Sequence, residues 1–338
     1  MSRKKTRAKK QHYISQHYFR NFSTKNGKLY VYDKDADKFY WRDIKDVGEE
    51  NYFFNLGIVD IYNRSDDQEK RKIDEASIKD GFKPISEMTE EEKEDLEYVV
   101  DDLYSNQYEP EFSTLISQTI NNAKQGKRIL LDDVGKAKFA HLLALHHIKT
   151  KYVRDFYDEM RVSMVKQTTA IMAQFDGIHI KPEDLTVTYT KEQKRLFHIS
   201  TIIDDELIDK LTNIFFNYTW QFVFFDRGSL FLTDKLMSLC PTEEIIPMFP
   251  PSFATYGMVI EVPLSKRLLL IMSDRRKFNE RTDCECTPFN VYSNLGLKAS
   301  NRNSVACSYK YVFSSDSKQL EEAVRSFKEE LNDENKKQ

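Results

Sequence analysis

The stretch WQFVFFD, residues 220–226, marks a change from helical to strand patterning along this chain. It opens a series of short runs rich in aromatic and β-branched residues, which are typical of strands. The later runs are SLFLTD (229–234), GMVIEVPL (257–264), RLLLIMS (267–273) and YKYVFSS (309–315). Arg227 and Gly228 predict a tight turn after the first run, and Pro263 predicts an edge or a bend. We therefore predict a mostly antiparallel sheet in the C-terminal third.

Upstream of that sheet, helical periodicity dominates from about residue 66 to about residue 218. Thr89 and Glu92 have the spacing of a capping box and predict a helix start. The clearest predicted helix covers residues 132–174, with Asp132 or Asp133 as N-cap and Gly177 just past its end. Its apolar stripe is Leu145, Ile148, Tyr152 and Phe156.

Strand patterns also occur near the N-terminus. GKLYVYDKDADKFYWRDI, residues 27–44, alternates aromatic and polar residues around an Asp-rich turn and predicts a hairpin. PFNVYSNLGLKASNRN, residues 288–303, has helical spacing. The order of elements predicts an α+β fold, with a helical middle and a sheet of C-terminal strands that the N-terminal hairpin could join. We predict one domain over residues 11–331, split near residue 218 into helical and sheet parts, a basic disordered tail at 1–10 and a charged tail at 332–338.

Composition excludes several classes of protein. The net charge is −3, but the first ten residues carry six Lys or Arg, so the remainder has a net charge of −9. Such a basic tail could be a solvated terminus or could bind nucleic acid. No apolar run reaches the roughly 20 residues of a membrane span, so we expect a cytoplasmic protein without a membrane span. Four cysteines agree with a reducing compartment, and the CxC of Cys284 and Cys286 lacks the further ligands of a zinc site.

Known catalytic signatures are missing from the sequence. It contains no GxxxxGK[ST], GxGxxG, GxSxG or HExxH motif. With only ten glycines, a glycine-lined cradle for a nucleotide is not expected. We predict no cofactor and no bound metal ion.

The segment QHYISQHYFRNF, residues 11–22, concentrates polar side chains at the start of the fold. Its apolar residues recur at helical spacing and predict a short helix that packs against the 132–174 helix. Further along, His146, Lys149, Thr150 and Arg154 would share one helix face, since residues three and four apart are neighbours. A solvated face is the alternative interpretation.

These residues resemble a known family. QHYISQHYFRNFS with GKLYVYDK and GEENYFF is similar to the opening of the bacterial domain-of-unknown-function family 4238, and the likeness runs nearly the full length. ALHHIKTKYVR keeps the family's Thr150 and Arg154, while His146 and Lys149 replace a glutamine and an arginine. FLTDKLM lacks the serine and proline of the family strand motif but retains Asp234. The opening residues that match are Gln11, His12, Tyr13, Tyr18, Arg20, Asn21 and Phe22.

The resemblance implies a site without implying an activity. His12 could be a general acid or base, or it could cap a turn or bond a carbonyl. Arg20 and Arg154 could grip a phosphate, or each could form a buried salt bridge, for example to Asp33 or Glu49. Asp234 could orient His12 or hold a divalent cation, or it could cap a loop. The predicted ligand-binding set is Gln11, Arg20, Asn21, His146, Lys149, Thr150 and Arg154.

Two functions follow from these interpretations. The first is a bacterial sensor or interaction module with a polar ligand site and a protein partner, in the antiviral defence setting that the family resemblance implies. The alternative is a phosphodiester hydrolase that uses His12 as acid or base and Arg20 and Arg154 on the phosphate. In this alternative Asp234 would orient His12 or hold a divalent metal ion. The acidic body favours the first, because it repels nucleic acid everywhere except at the basic tail.

Overall fold

The computed structural model describes residues 7–79, 81–127, 129, 131–242, 252–286, 288–291 and 294–336. The chain forms two compact units. What we call the helical unit consists of described residues within Met1–Gln11, Glu50–Gln107 and Tyr152–Asp204. The sheet unit consists of those within His12–Glu49, Tyr108–Lys151 and Asp205–Gln338. The assignment of residues 11–331 to one domain stays a prediction.

The α+β class is confirmed by the elements along the chain. The strands are β1 Lys10–His12, β2 Lys28–Asp33, β3 Lys38–Asp43, β4 Glu49–Asn51, β5 Thr219–Phe225, β6 Leu232–Thr233, β7 Ser238–Pro241, β8 Met258–Pro263, β9 Leu268–Ser273, β10 Pro288–Val291 and β11 Tyr311–Ser314. The helices are α1 Gln16–Arg20, α2 Ile58–Arg64, α3 Asp67–Lys79, α4 Glu90–Glu97, α5 Val99–Leu103, α6 Glu109–Lys124, α7 Asp133–Ile148, α8 Lys151–Phe175, α9 Lys191–Ile202, α10 Asp205–Asn217, α11 Asn294–Cys307 and α12 Ser317–Asn335. The predicted change of pattern near residue 218 is confirmed, because α10 ends at Asn217 and β5 begins at Thr219.

A five-stranded sheet forms the core of the sheet unit, in the order β10-β5-β9-β8-β7. Its pairs are antiparallel except β10 with β5, which is parallel. Trp220 and Phe222 on β5 are fully buried, and the Trp220 ring meets Phe139 of α7 edge-on. Our prediction of helix from residue 288 is wrong for its first residues, because β10 precedes α11 and pairs with β5.

The N-terminal hairpin enters a second sheet with strands from the C-terminal half. The order is β3-β2-β11-β6, and all its pairs are antiparallel. Gly228 has a positive φ of 82°, as a tight turn requires. However, β5 and β6 on its two sides belong to different sheets, so the turn does not close a hairpin.

The predicted 132–174 helix is two helices, α7 and α8, which are interrupted at Lys149 and Thr150. Asp132 caps α7 as predicted, since its side chain accepts from the Gly135 amide. At the other end the Thr150 hydroxyl donates to the His147 carbonyl at 2.8 Å. This bond gives a partner to one of the last carbonyls of α7, which the helical ladder leaves unpaired.

The helical unit is built around aromatic rings. Phe53 meets Phe54 and His198 edge-on, and Phe54 stacks with Tyr104. Helix α4 begins with the predicted capping box of Thr89 and Glu92. The predicted apolar stripe fails at Phe156, which lies on α8 and is 43% exposed.

At both ends of the chain, ordered elements extend into the segments predicted as tails. Residues 1–6 lie outside the described residues, but Arg7 forms ion pairs with Asp95 and Asp102, and β1 begins at Lys10. The basic tail therefore ends earlier than residue 10. Helix α12 continues to Asn335, into the predicted charged tail. Within the described ranges, none of the helices combines the length and apolar character that crossing a membrane needs.

Candidate functional site

The nine predicted site residues are divided between the two units. Gln11 and Arg154 lie in the helical unit, and the other seven lie in the sheet unit. The Gln11 side chain donates to Asn55 at 2.9 Å and accepts from the Phe54 amide at 2.6 Å. Arg154 donates to both carboxylate oxygens of Glu50, at 3.0 and 2.8 Å, and its guanidinium stacks on Phe53. Arg154 therefore has the predicted salt bridge, with Glu50 as partner in place of Asp33 or Glu49.

His12 lies half-buried at the end of β1. Its Nε2 is 3.3 Å from the Gln16 amide nitrogen, and its ring also bonds the Lys45 backbone. A neutral imidazole has one donor and one acceptor, so these two contacts use both. Burial lowers the pKa of His12, and nearby Glu49 and Glu109 oppose that effect. His12 is therefore neutral at pH 7 and held by the fold.

Lys149 and Glu109 form an ion pair close to His12. Lys149 is fully buried at the C-cap of α7, and its ammonium donates to Glu109 at the first position of α6. The Lys149 charge suits the helix dipole, since a cation is favoured at a helix C-terminus, whereas Glu109 lies inside a helical stretch that continues from α5 through a π-helical turn at Tyr104–Tyr108. Glu109 raises the pKa of His12 and Lys149 lowers it, so the ion pair and His12 form a cluster of electrostatically coupled groups.

His146 is buried beside this cluster. Its Nδ1 lies 2.9 Å from the Leu142 carbonyl, and its ring packs on Phe112 of α6 with centroids 3.9 Å apart. Burial and the Lys149 charge lower the pKa of His146 well below its ordinary value. The imidazole is neutral near pH 7 and acts as part of the core.

The opening helix α1 docks through its aromatic residues. Tyr18 stacks on Phe112 of α6, and Phe19 meets Phe313 of β11 edge-on. These rings lie on α6 and β11, whereas we predicted docking on the 132–174 helix. Arg20 is exposed, with Nη1 3.0 Å from His17 Nδ1, so its alternative interpretation as a buried salt bridge is wrong. Asn21 ends the helix, and its carbonyl accepts from the Lys266 amide at 3.1 Å.

Asp234 binds the segment that leads into β11. Its carboxylate accepts from the backbone amides of Tyr309, Lys310 and Tyr311 at 2.9, 2.7 and 3.0 Å. Burial raises the pKa of Asp234 to about 6, although the three amides favour the charged form. Among the residues that the structure describes, no group of three or more His, Cys, Asp or Glu side chains could hold a metal ion.

A second charged cluster was missed by the sequence analysis. Lys136 of α7 donates to the Tyr218 carbonyl at 2.8 Å and forms an ion pair with Glu285. Arg275, which follows β9, donates from Nη2 to both oxygens of Glu285 at 2.8 and 2.6 Å. We call Lys136, Arg275 and Glu285 the charged triad. Burial lowers the pKa of Lys136 and is only partly offset by Glu285.

The charged triad lines a cavity of about 450 Å³ in the sheet unit. Its further lining residues are Ile129, Leu131, Asp133, Phe216, Thr282 and Cys286. Two sequence patterns could have indicated the charged triad. They are the arginine pair one residue after RLLLIMS and the acidic residue between the cysteines of DCEC. Neither pattern reveals that a lysine 139 positions upstream of Arg275 completes the cluster.

Comparison with known proteins gives one match. The family model described as "Protein of unknown function (DUF4238)" matches residues 10–318, which is near full length. No curated protein and no solved structure matches the chain.

Proposed function

Since the chain belongs to the DUF4238 family, whose description carries no activity, we propose from its contacts that it is a non-catalytic binding module. In this proposal it senses a polar ligand and passes the signal to a protein partner. The family resemblance alone supports the bacterial antiviral defence setting. The composition alone supports a cytoplasmic location.

The observation that carries the proposal is that the fold already uses three of the four side chains that the predicted phosphodiesterase would need, all except the exposed Arg20. His12 is held by Gln16 and Lys45, and Asp234 is held by three amides. Arg154 has its carboxylate partner in Glu50. A general base must be able to take up a proton from a substrate, and a phosphate-binding arginine needs donors that face the phosphate. These contacts favour a structural role for the same residues.

The test is a hydrolysis assay of the purified protein with single- and double-stranded DNA and RNA. We expect no cleavage with Mg²⁺, Mn²⁺ or a chelator. His12→Ala should lower the free energy of unfolding by about 1–3 kcal/mol, because two hydrogen bonds of a half-buried ring are lost. His17→Ala is the matched control, since His17 is an exposed histidine on the same segment and should change stability by less than about 0.5 kcal/mol.

The opposite result would establish the hydrolase. Wild-type protein that degrades nucleic acid, together with a folded His12→Ala variant that has lost about 10²-fold or more in rate, would identify His12 as the acid or base. Cleavage that His12→Ala leaves unchanged would also end the non-catalytic proposal, and it would place the chemistry elsewhere.

A further inference from the structure

The cavity at the charged triad has one polar wall and one apolar wall. The polar wall consists of the triad with Thr282 and Asp133, and the apolar wall consists of Ile129, Leu131 and Phe216. A volume of about 450 Å³ lies in the range of pockets that hold small organic molecules. The cavity can therefore take a ligand with one polar end and one apolar body.

The triad carries an excess of positive charge. Lys136 and Arg275 are two cations, and Glu285 is the one anion that both of them contact. The side chain of Lys136 is only 6% exposed, so solvent screens its charge poorly, whereas Arg275 is 39% exposed and is the cation that a ligand can reach. A single negative charge on a ligand would balance the triad itself, whereas Asp133 on the same wall brings the formal charge of the whole lining to zero.

Arg275 also has unused donors. Both of its bonds to Glu285 come from Nη2, and within the described part of the chain Nε is buried without a hydrogen-bond partner. Nε has almost no exposed surface, so an oxyanion in the cavity would instead accept from Nη1, which makes no hydrogen bond within the described residues and belongs to a side chain that is 39% exposed. Helix α7 begins at the same place, and the positive end of its dipole acts in the same direction.

Asp133 limits how much negative charge the cavity can accept. It is exposed and lines the cavity, so it repels any anion there, and it repels a doubly charged ligand more strongly than a singly charged one. A carboxylate carries one negative charge, whereas a phosphate monoester carries between one and two at neutral pH. The lining therefore favours a carboxylate over a phosphate.

We propose that this cavity binds a small organic monocarboxylate, with the carboxylate at Arg275 and Lys136 and the apolar body against Phe216, Ile129 and Leu131. The inference rests on the proposed function for its biological meaning, because this would be the polar site of the sensor. Its chemistry follows from the cavity alone.

Titration calorimetry with benzoate and hexanoate tests the site, with benzamide, hexanamide and inorganic phosphate as comparison probes. We expect the wild-type protein to bind the carboxylates at least about tenfold more tightly than the amides, because a charge-assisted bond to arginine is lost in the amides. Phosphate should bind more weakly than the carboxylates, and Asp133→Asn should strengthen phosphate binding.

The variants separate this site from nonspecific binding. Arg275→Gln should lose the preference for carboxylate over amide. Arg276→Gln should keep it, because Arg276 is bound to Asp274 and the Ala254 carbonyl and does not line the cavity. If a thermal melt shows that Arg275→Gln unfolds, Arg275→Lys gives the same test, since it retains the charge and loses the planar donors.

Several outcomes would overturn the inference: no carboxylate binding by folded wild-type protein, full binding by a folded Arg275 variant, or tighter binding of phosphate. Following the probes by NMR during the titration keeps the two proposals apart. A probe that binds and is chemically converted would refute the non-catalytic role and leave the site in place. Absent carboxylate binding together with absent nucleic acid cleavage would refute the site only.

Discussion

Replacing Glu285 by Gln should destabilise the protein more than replacing Lys136 by Met, although both changes break the same ion pair. In Lys136→Met the remaining carboxylate keeps Arg275 as its partner. In Glu285→Gln the Lys136 ammonium, 6% exposed, loses its carboxylate and still faces Arg275. Removing one partner so that a buried charge is left uncompensated costs about 3–5 kcal/mol.

The stability lost when Lys136 is left without a carboxylate also has an upper limit. The folded protein can avoid the buried charge by releasing the Lys136 proton. Doing so at pH 7, about 3.5 pH units below the ordinary lysine pKa of 10.5, costs about 4.8 kcal/mol. We therefore expect Glu285→Gln to lose about 3–5 kcal/mol and Lys136→Met to lose about 1–2 kcal/mol, the value of its bond to the Tyr218 carbonyl.

The free energy of unfolding of Glu285→Gln should also depend on pH. Without Glu285 the pKa of Lys136 in the folded state falls further below 10.5, so the unfolded chain binds the extra proton. Stability must then rise with pH up to the unfolded pKa, by at most about 1.4 kcal/mol per pH unit. Urea unfolding followed by circular dichroism at pH 7, 8 and 9 would measure it.

The double variant Lys136→Met/Glu285→Gln is the control, and it should lack the added slope. A loss in Glu285→Gln that is no greater than in Lys136→Met would refute the reasoning. So would a stability difference from wild type that does not change between pH 7 and 9.

Two further predictions concern buried groups of the sheet unit. Burial lowers the pKa of His147 to about 4, so the stability that the neutral ring contributes is lost as pH falls from about 6.5 towards 4. The free energy of unfolding should be about 2 kcal/mol lower at pH 5 than at pH 7. Urea unfolding at pH 7 and pH 5 would measure this loss, and His147→Asn should lack it. Asp234→Ala should lower the free energy of unfolding by about 2–4 kcal/mol, because three backbone amides lose their acceptor. Arg20→Gln, on the exposed face of α1, is the control and should change it by less than about 0.5 kcal/mol. Equal melting temperatures for these last two variants would contradict the structural role of Asp234.

Local signals along the chain were enough to predict the fold class and several of its elements. Thr89 and Glu92 are three residues apart and satisfy each other's backbone, so the helix start could be predicted from four positions. The β2–β3 and β8–β9 pairs were predictable for the same reason, since each strand's pattern and its connection lie within one short segment. Asp132 at the start of α7 is a third such case.

Features that depend on segments far apart in the chain could be identified only in the folded protein. β10 is a strand because β5, about 66 residues upstream, offers an unpaired edge, and its own residues have helical spacing. Asp234 receives its three hydrogen bonds from residues 309–311, and Lys136 meets Glu285 across 149 positions. The type and spacing of such residues look ordinary along the chain, because burial and charge pairing arise only when packing brings distant segments together. For the same reason, the sequence could not show that the predicted site residues are held by the fold, and it could not show that the charged triad forms.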